Sequence, residues 1–383
     1  MSQLARQHNA INLSQGFPDF EGSTELMDLV SQYMRRGFNQ YAPMAGVPAL
    51  TEAIAHKAHT LYGIPLDAAK HITVTAGGTQ ALYTAIAAFV RPNDEVIVFE
   101  PCYDSYIPAI EANGGIAVPI ALHHPNYHIP WAAVANAITP RTRFIIFNTP
   151  HNPSGTVWQP TDLEELYKLV KDTNILLLSD EVYEHIVFDN NKHQSILRHP
   201  LLFERSLVVF SFGKTFHFTG WKIGYCIAPE NLMIEFRKLH QFVVFSVNTP
   251  MQYALADFLQ NEHNYLGLSA FYQQKRDYFL QLLQGSRFSW IPAQGSYFQL
   301  LDYSQITNQT DTDFAVQLTR EKGVAAIPIS VFYTNAPNQK VLRFCFAKQT
   351  QTLEKAAEIL QKLWLIDWCK QANYINPKAS TVK

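Results

Sequence analysis

The chain has 383 residues, 47% hydrophobic and 16% charged, enough apolar material to bury a large core in two domains. Its formal net charge of −2 and pI of about 6.7 offer no field for nucleic acid or an anionic membrane, so neither is expected as a partner. The fourteen histidines show no metal-ligand spacing, and the widely spaced Cys102, Cys226, Cys345 and Cys369 predict reduced thiols rather than a disulfide scaffold. The opening "MSQLARQHNA" lacks the apolar stretch of a signal peptide, and no run is long enough to span a membrane; a soluble, cytoplasmic protein is expected.

Along residues 70–230, strand-like and helix-like segments alternate. The strand candidates are "HITVTAG" (71–77), "EVIVFEP" (95–101), "IAVPIAL" (116–122), "FIIFNTP" (144–150), "ILLLSDEVY" (175–183), "SLVVFSF" (206–212) and "IGYCIA" (223–228). Most are continuous apolar runs, the pattern of strands covered on both faces. Between them, "TQALYTAIAAFV" (79–90) and "TDLEELYKLVKD" (161–172) read as helices, the second opening with Thr161 and Glu164 at capping-box spacing. The alternation predicts an α/β fold: a three-layer α/β/α domain around a mostly parallel sheet of about seven strands. After residue 230 the texture changes. A long helical stretch runs towards Leu283, broken at "VNTP" (247–250). Strands at "WIPAQGSYFQLLDY" (290–303) and "KVLRFCFA" (340–347) then flank a helix at "TDFAVQLTREKG" (312–323), an α+β pattern for a smaller domain. The polar tail beyond Trp368 is expected to fray.

Several predicted strands run out into polar residues, and the C-terminal edge of an open α/β sheet is where ligands bind. "HITVT" leads into "AGGTQ" just before a helix, where glycines and a helix N-terminus make a seat for phosphate, or simply a turn. "FIIFNTP" leads into "HNPSG", with Asn152 before a proline. "ILLLSDEVY" carries Asp180 after four apolar residues and a serine; a carboxylate there needs a cation, from a ligand or from a neighbouring side chain. "SLVVFSF" runs into "GKTFHFTGWK", which places Ser211, Lys214 and Lys222 near one strand end; alone, that stretch also reads as an exposed loop.

Together these residues narrow the ligand. Neither G-x-G-x-x-G nor G-x-x-x-x-G-K-[ST] is present, which argues against a nicotinamide dinucleotide and a nucleoside triphosphate. A small phosphorylated cofactor with an aldehyde for a lysine and a ring nitrogen for an aspartate fits, and pyridoxal 5'-phosphate has those groups. Lys214 is then the Schiff-base lysine.

Read in order, "NQYAPMAG", "VTAGGTQAL", "PCYDSY", "NTPHNPSG", "SDEVYE" and "SFGKTFHFTGWKIGY" resemble the class I/II aminotransferases of fold type I. Within them the resemblance is to the branch containing methionine aminotransferase and the kynurenine/glutamine transaminases, and it runs nearly end to end. It implies a large domain over residues 36–280 and a small one from residues 1–35 and 281–383. It implies that Lys214 joins the cofactor and shuttles a proton, that Asp180 partners the ring nitrogen, and that Asn152 and Tyr183 bond the ring's 3-oxygen. By the same resemblance Tyr103 stacks on the ring, while Gly78, Thr79, Ser211 and Lys222 bind phosphate, joined by Tyr41 of a second subunit. Lys222 stands where many relatives have arginine, a point charge that still serves a phosphate. Arg343 is the implied clamp on the substrate carboxylate, assisted by Gly16, and Phe17 and Phe245 complete an aromatic substrate pocket. The implied assembly is a homodimer with shared active sites.

The implied reaction moves the amino group of an L-amino acid to a 2-oxo acid. "HQFVVFSVNTP" (240–250), compared with the stretch that supplies relatives with a second arginine for aspartate, has no arginine or lysine. Uncharged long side chains such as methionine, phenylalanine and glutamine are therefore the expected donors. Two other readings are a β-lyase acting on cysteine S-conjugates and a non-catalytic pyridoxal-phosphate sensor; no basic helix-turn-helix segment supports the sensor.

Overall fold

All seven predicted strands lie side by side in one sheet of the computed structural model, which describes residues 1–363. Cys369 and the tail beyond Trp368 lie outside the described residues. The strands are β1 (Ile72–Thr75), β2 (Glu95–Glu100), β3 (Ile116–Ala121), β4 (Thr142–Asn148), β5 (Leu176–Asp180), β6 (Ser206–Ser211) and β7 (Gly224–Ile227). Their order is β1-β7-β6-β5-β4-β2-β3. β7 is antiparallel to both neighbours and every other pairing is parallel.

The apolar runs are continuous because both faces are covered. Val96, Val98, Ile146 and Val209 pack with Leu82, Ile86, Met233 and Phe236 on one face. Ile97, Phe99, Phe147 and Phe210 join the core on the other, with Leu163 and Ile54. This alternation along each strand gives three layers. β3 is the exception, partly exposed and carrying Pro119, as suits the sheet's edge.

The helix predicted at 161–172 spans Pro160–Val170, and its capping differs from the prediction. Gln159 is the N-cap, and Asp162, not Glu164, accepts its backbone N–H at 2.8 Å. Pro160 takes the first helical position, where its missing N–H costs nothing, and this moves the cap two residues earlier than Thr161.

The smaller sheet contains the two predicted strands, β8 (Phe298–Asp302) and β10 (Val341–Cys345), and a strand too short to stand out, β9 (Ile327–Pro328). Its order is β9-β10-β8, all antiparallel. The predicted helix begins at Asp311 with Thr310 accepting from Asp313 N, and turns π-helical over Leu318–Lys322. Ile11–Asn12 pairs in parallel with Val324–Ala325 in a separate two-stranded sheet, and the Leu13 carbonyl accepts from Cys345 N at 2.8 Å, which ties the N-terminal segment to the smaller domain. The helix Thr24–Arg35 lies elsewhere, against Thr249–Phe258, where Tyr33 donates to Asp257 at 2.6 Å.

Candidate active site

Parallel pairing aligns the C-terminal ends of β4, β5 and β6. Asn148 pairs with Asp180, and Ser211 ends the next strand opposite Gly224. A cavity of about 420 Å³ lies over this edge, between the two sheets. Gly16, Gly78, Thr79, Tyr103, Asn152, Asp180, Tyr183, Ser211, Lys214, Lys222 and Arg343 all line it. A second cavity of similar volume, walled by Trp131, Trp158 and Trp290, shares Asn148 but holds none of the predicted site residues.

Lys214 sits in a one-turn helix, Phe212–Thr215, immediately after β6, which turns its side chain back over the sheet edge. Its Nζ donates to Tyr297 Oη at 2.9 Å and to the Gly16 carbonyl at 3.3 Å. Burial draws its pKa down to about 8, the Arg343 and Lys222 charges acting the same way and Cys345 and Asp180 against. Asp180, 4% exposed, is pushed up to about 6 by burial, although the Tyr106 hydroxyl and the Val182 N–H bond its carboxylate.

The glycine turn is built for close approach. Gly77 has a φ of +83°, and a Cβ there would stand 3.3 Å from Lys222 Cε and 3.4 Å from its Nζ. Lys222 itself holds the left-handed conformation, φ +56°, uncommon for a lysine and costing about 1–3 kcal/mol. That conformation folds its ammonium against the N-terminus of the helix Gly78–Phe89, where no side chain caps the first turn. Thr79 Oγ1 and Tyr103 Oη are 3.0 Å apart.

Arg343 is 7% exposed and buried among aromatic rings, its guanidinium 4.0 Å from the Phe298 ring centroid and 4.8 Å from that of Phe332. It donates to Asn152 Oδ1 at 2.7 Å and to the Ser14 carbonyl at 3.2 Å, while its Nε has no partner. Among the described residues no carboxylate pairs with it. Burial lowers its pKa, so this cation has the surroundings of one that binds an anion from outside.

Three predicted residues lie off this cavity. The Phe17 ring is 43% exposed and sits under Lys348, whose Nζ donates to the Phe17 carbonyl. Tyr41 and Phe245 stack edge to face at 5.1 Å on the surface, 80% and 49% exposed. Sequence reasoning missed Tyr106, Asn148 and Tyr297. Tyr106 lies in the quoted "PCYDSY", three residues after Tyr103, and its hydroxyl reaches Asp180. Asn148 pins the edge, donating to the Asp180 carbonyl and accepting from Asn152 N. Tyr297 is fully buried, and in "QGSYFQLL" (294–301) nothing marked it as a site residue.

The model of the family "Aminotransferase class I and II" matches residues 8–360. The chain belongs to the class I and II aminotransferases. The Escherichia coli methionine aminotransferase is 53% identical over 364 residues, covering 95% of this chain and 94% of its own. The mouse kynurenine–oxoglutarate transaminase 1 is 34% identical over 389 residues, with 92% of each chain covered. Among solved structures, an E. coli protein described as having a methionine aminotransferase function superposes with a TM-score of 0.93 at 52% identity, over 94% of this chain and 95% of that one. Thermus thermophilus aspartate aminotransferase with maleate does so at 0.87 and 29%, over 94% of each. This aminotransferase is thus a pyridoxal-phosphate-dependent transaminase of fold type I. Its cavity fits that group: an uncapped helix N-terminus and a folded-back lysine for phosphate, a buried amine for the aldehyde, and a buried carboxylate for a cationic ring nitrogen.

Proposed function

We propose that this aminotransferase takes its amino group from L-amino acids with uncharged, long side chains, methionine and phenylalanine first and glutamine among them, and passes it to a 2-oxo acid. The lining of the cavity carries this reading. Its cations are Lys214, Lys222 and Arg343, and each has a task in binding cofactor or the α-carboxylate. The apolar part of the wall is Leu82, Val182, Phe298, Ile327, Val331 and Phe332, and beside it stand the uncharged Ser14, Gln15 and Thr219 and the carboxylate of Asp104. An aspartate side chain would meet apolar surface and a like charge, whereas a thioether gains contact with aromatic rings.

In this reading Lys222, Ser211, Thr79 and the N–H of Gly78 hold the phosphate, and Tyr103 covers the ring. Asn152 and Tyr183 face the ring's 3-oxygen. Bound pyridoxal phosphate supplies an aldehyde for amine exchange and a ring that accepts electrons. Asp180, ionised, stabilises positive charge at the ring nitrogen. Arg343 orients the substrate through its α-carboxylate, its planar fork donating to both oxygens. Lys214, a buried amine with a pKa of about 8, takes the proton from the substrate's Cα and returns it later in the exchange.

The same proposal includes a homodimer in which Tyr41 and Phe245 of each chain complete the neighbour's site. The support is their exposure as paired aromatic rings away from their own cavity. A cytoplasmic location is proposed from the three buried, unpaired cysteines among the described residues. The test is kcat/KM for methionine, phenylalanine, glutamine and aspartate against a panel of oxo acids. An aspartate value equal to methionine's would refute the donor preference.

A further inference from the structure

We infer that Tyr297 is the positioning residue for the Lys214 amine, aiming its lone pair into the cavity for the proton transfer at Cα. The inference rests on Lys214 being the reacting amine. Three separate parts of the chain meet at that nitrogen: the one-turn helix after β6, the N-terminal segment at Gly16, and the approach to β8 at Tyr297.

The hydrogen bonds at this junction have one consistent direction. The Tyr297 hydroxyl is 2.6 Å from the Gly16 carbonyl, which can only accept, so the single phenolic proton goes there. The phenolic oxygen is then free to accept, and Lys214 Nζ donates to it at 2.9 Å. The amine gives a second N–H to the same Gly16 carbonyl at 3.3 Å. A neutral amine has two N–H groups and one lone pair. With both N–H groups directed at Tyr297 and Gly16, the lone pair faces the remaining side, where the cavity lies.

Tyr297 cannot drift. It is 0% exposed, its ring edge to face with Tyr183 at 5.1 Å and against Phe298 at 4.9 Å and Tyr272 at 5.9 Å. Burial raises its pKa well above the ordinary phenol value, so it stays a neutral hydrogen-bonding group and is not itself a base. When the Cα–H bond breaks, its proton goes to Nζ and the electron pair stays with the substrate carbon. Tyr297 changes neither bond; it sets where Nζ is, and a general base must lie within hydrogen-bond reach of its proton.

The experiment is Tyr297→Phe in the full-length holoenzyme, which removes one oxygen and keeps the ring packing. Expected is a fall in kcat of about 10- to 100-fold, the size of one hydrogen bond to a reacting charged group, with KM within about twofold. The deuterium isotope effect with Cα-deuterated methionine rises, because C–H cleavage becomes slower than the other steps. In the cofactor-free full chain, labelling of Lys214 by an amine-directed reagent moves to lower pH, since the ammonium loses an acceptor. Asp180, Arg343, Lys222 and Cys345 face the same amine and are unchanged in the variant. Wild-type kcat with an unchanged isotope effect, or a proportional loss of kcat and thermal stability with no change in labelling, would overturn the inference. Borohydride attachment of the cofactor to a lysine other than Lys214 would instead defeat the underlying assignment of the amine.

Discussion

The Tyr106 hydroxyl donates to Asp180 Oδ2 at 2.6 Å, and both groups are buried at the end of β5. Burial nevertheless holds Asp180 near a pKa of 6, against an ordinary 3.8, so in the cofactor-free protein its ionised form is the costly one. A carboxyl with a raised folded-state pKa stabilises the fold at low pH, and that stability is lost as pH rises from about 4 through 6. The difference is about 3 kcal/mol at 1.36 kcal/mol per unit. Asp180→Asn should therefore stabilise the cofactor-free chain above pH 7 by up to about 3 kcal/mol while destroying turnover. Asp180→Glu should retain far more activity than Asp180→Ala. Urea unfolding at pH 5 and pH 8 checks the first, and the ratio of turnover rates the second; equal stability of wild type and Asp180→Asn at pH 8 would contradict it. Tyr106→Phe should raise the Asp180 pKa further and weaken cofactor binding by about 1.5–3 kcal/mol.

Lys214 is a buried amine drawn down to about 8, whereas a free lysine titrates near 10.5. At pH 8 an amine-directed reagent should label it in cofactor-free protein ahead of exposed lysines. Borohydride reduction of the holoenzyme should fix the cofactor on the same residue. Lys214→Ala should lower kcat by roughly 10²–10⁴ or more, the usual scale for a lost proton-transfer group, without changing the unfolding midpoint by much. Peptide mapping of both labels to Lys222 would move the assignment to that residue.

How far the sequence carried the fold depends on the strength of its pattern. The large-sheet strands were legible because most of them are buried on two faces and so are apolar throughout, and their polar ends pointed to Asp180 and Lys214. β9, two residues long, had no periodicity to read. Asn148 and Tyr106 were visible as letters in quoted motifs, yet their work is to hold Asp180 and Asn152, and pairing across the sheet is not written in local spacing. Tyr297 was hidden for the same reason: it is distant from Gly16 and Lys214 in sequence, and only the packing of the small sheet brings the three together.

The segment carrying Asp180 and Tyr183 is anchored from behind. Glu184 accepts from Lys57 and from Tyr62, each at 2.5 Å, and the Tyr225 hydroxyl accepts from Lys57 at 2.9 Å and donates to Glu184 at 3.3 Å. Burial pushes Glu184 up, but Lys57 and His185 outweigh it, and its carboxyl lies below the usual range. Removing one partner of such a pair leaves the other charge buried and alone. Lys57→Met should cost about 3–5 kcal/mol of stability, while Lys57→Met with Glu184→Leu should recover part of that loss. Denaturant unfolding of the three variants measures it; a cost below about 1 kcal/mol for Lys57→Met would show that the pair is not ionised.

Arg343 offers a planar fork whose Nε has no partner and which no protein carboxylate among the described residues occupies. A lysine there keeps the charge and loses the bidentate geometry. Arg343→Lys should raise KM for the amino donor about tenfold or more, with a smaller effect on kcat, since the α-carboxylate is held in ground and transition states alike. Arg343→Gln should be worse. Steady-state kinetics with methionine decide it, and an unchanged KM in Arg343→Lys would place the carboxylate elsewhere.

Tyr41 and Phe245 do not reach the cavity of their own chain, and Phe242, 84% exposed, lies in the last turn of the helix Glu230–Val243, three residues before Phe245. Phe245 also holds a φ of +65°, a left-handed conformation that is strained for a bulky residue and is met more often where a surface is fixed by function. Large exposed rings cost solubility unless another surface covers them, and in the proposed homodimer that surface is a second copy of this chain. If Tyr41 serves the neighbour's phosphate, Tyr41→Ala and Lys214→Ala should each be inactive or nearly so as pure dimers. Mixed dimers would combine the intact lysine of one chain with the intact tyrosine of the other. After random exchange, half the dimers are mixed and each has one complete site, so activity should return to about a quarter of wild type. Heterodimers shown by differential tags but lacking that recovery would mean that Tyr41 acts in its own subunit or not at all.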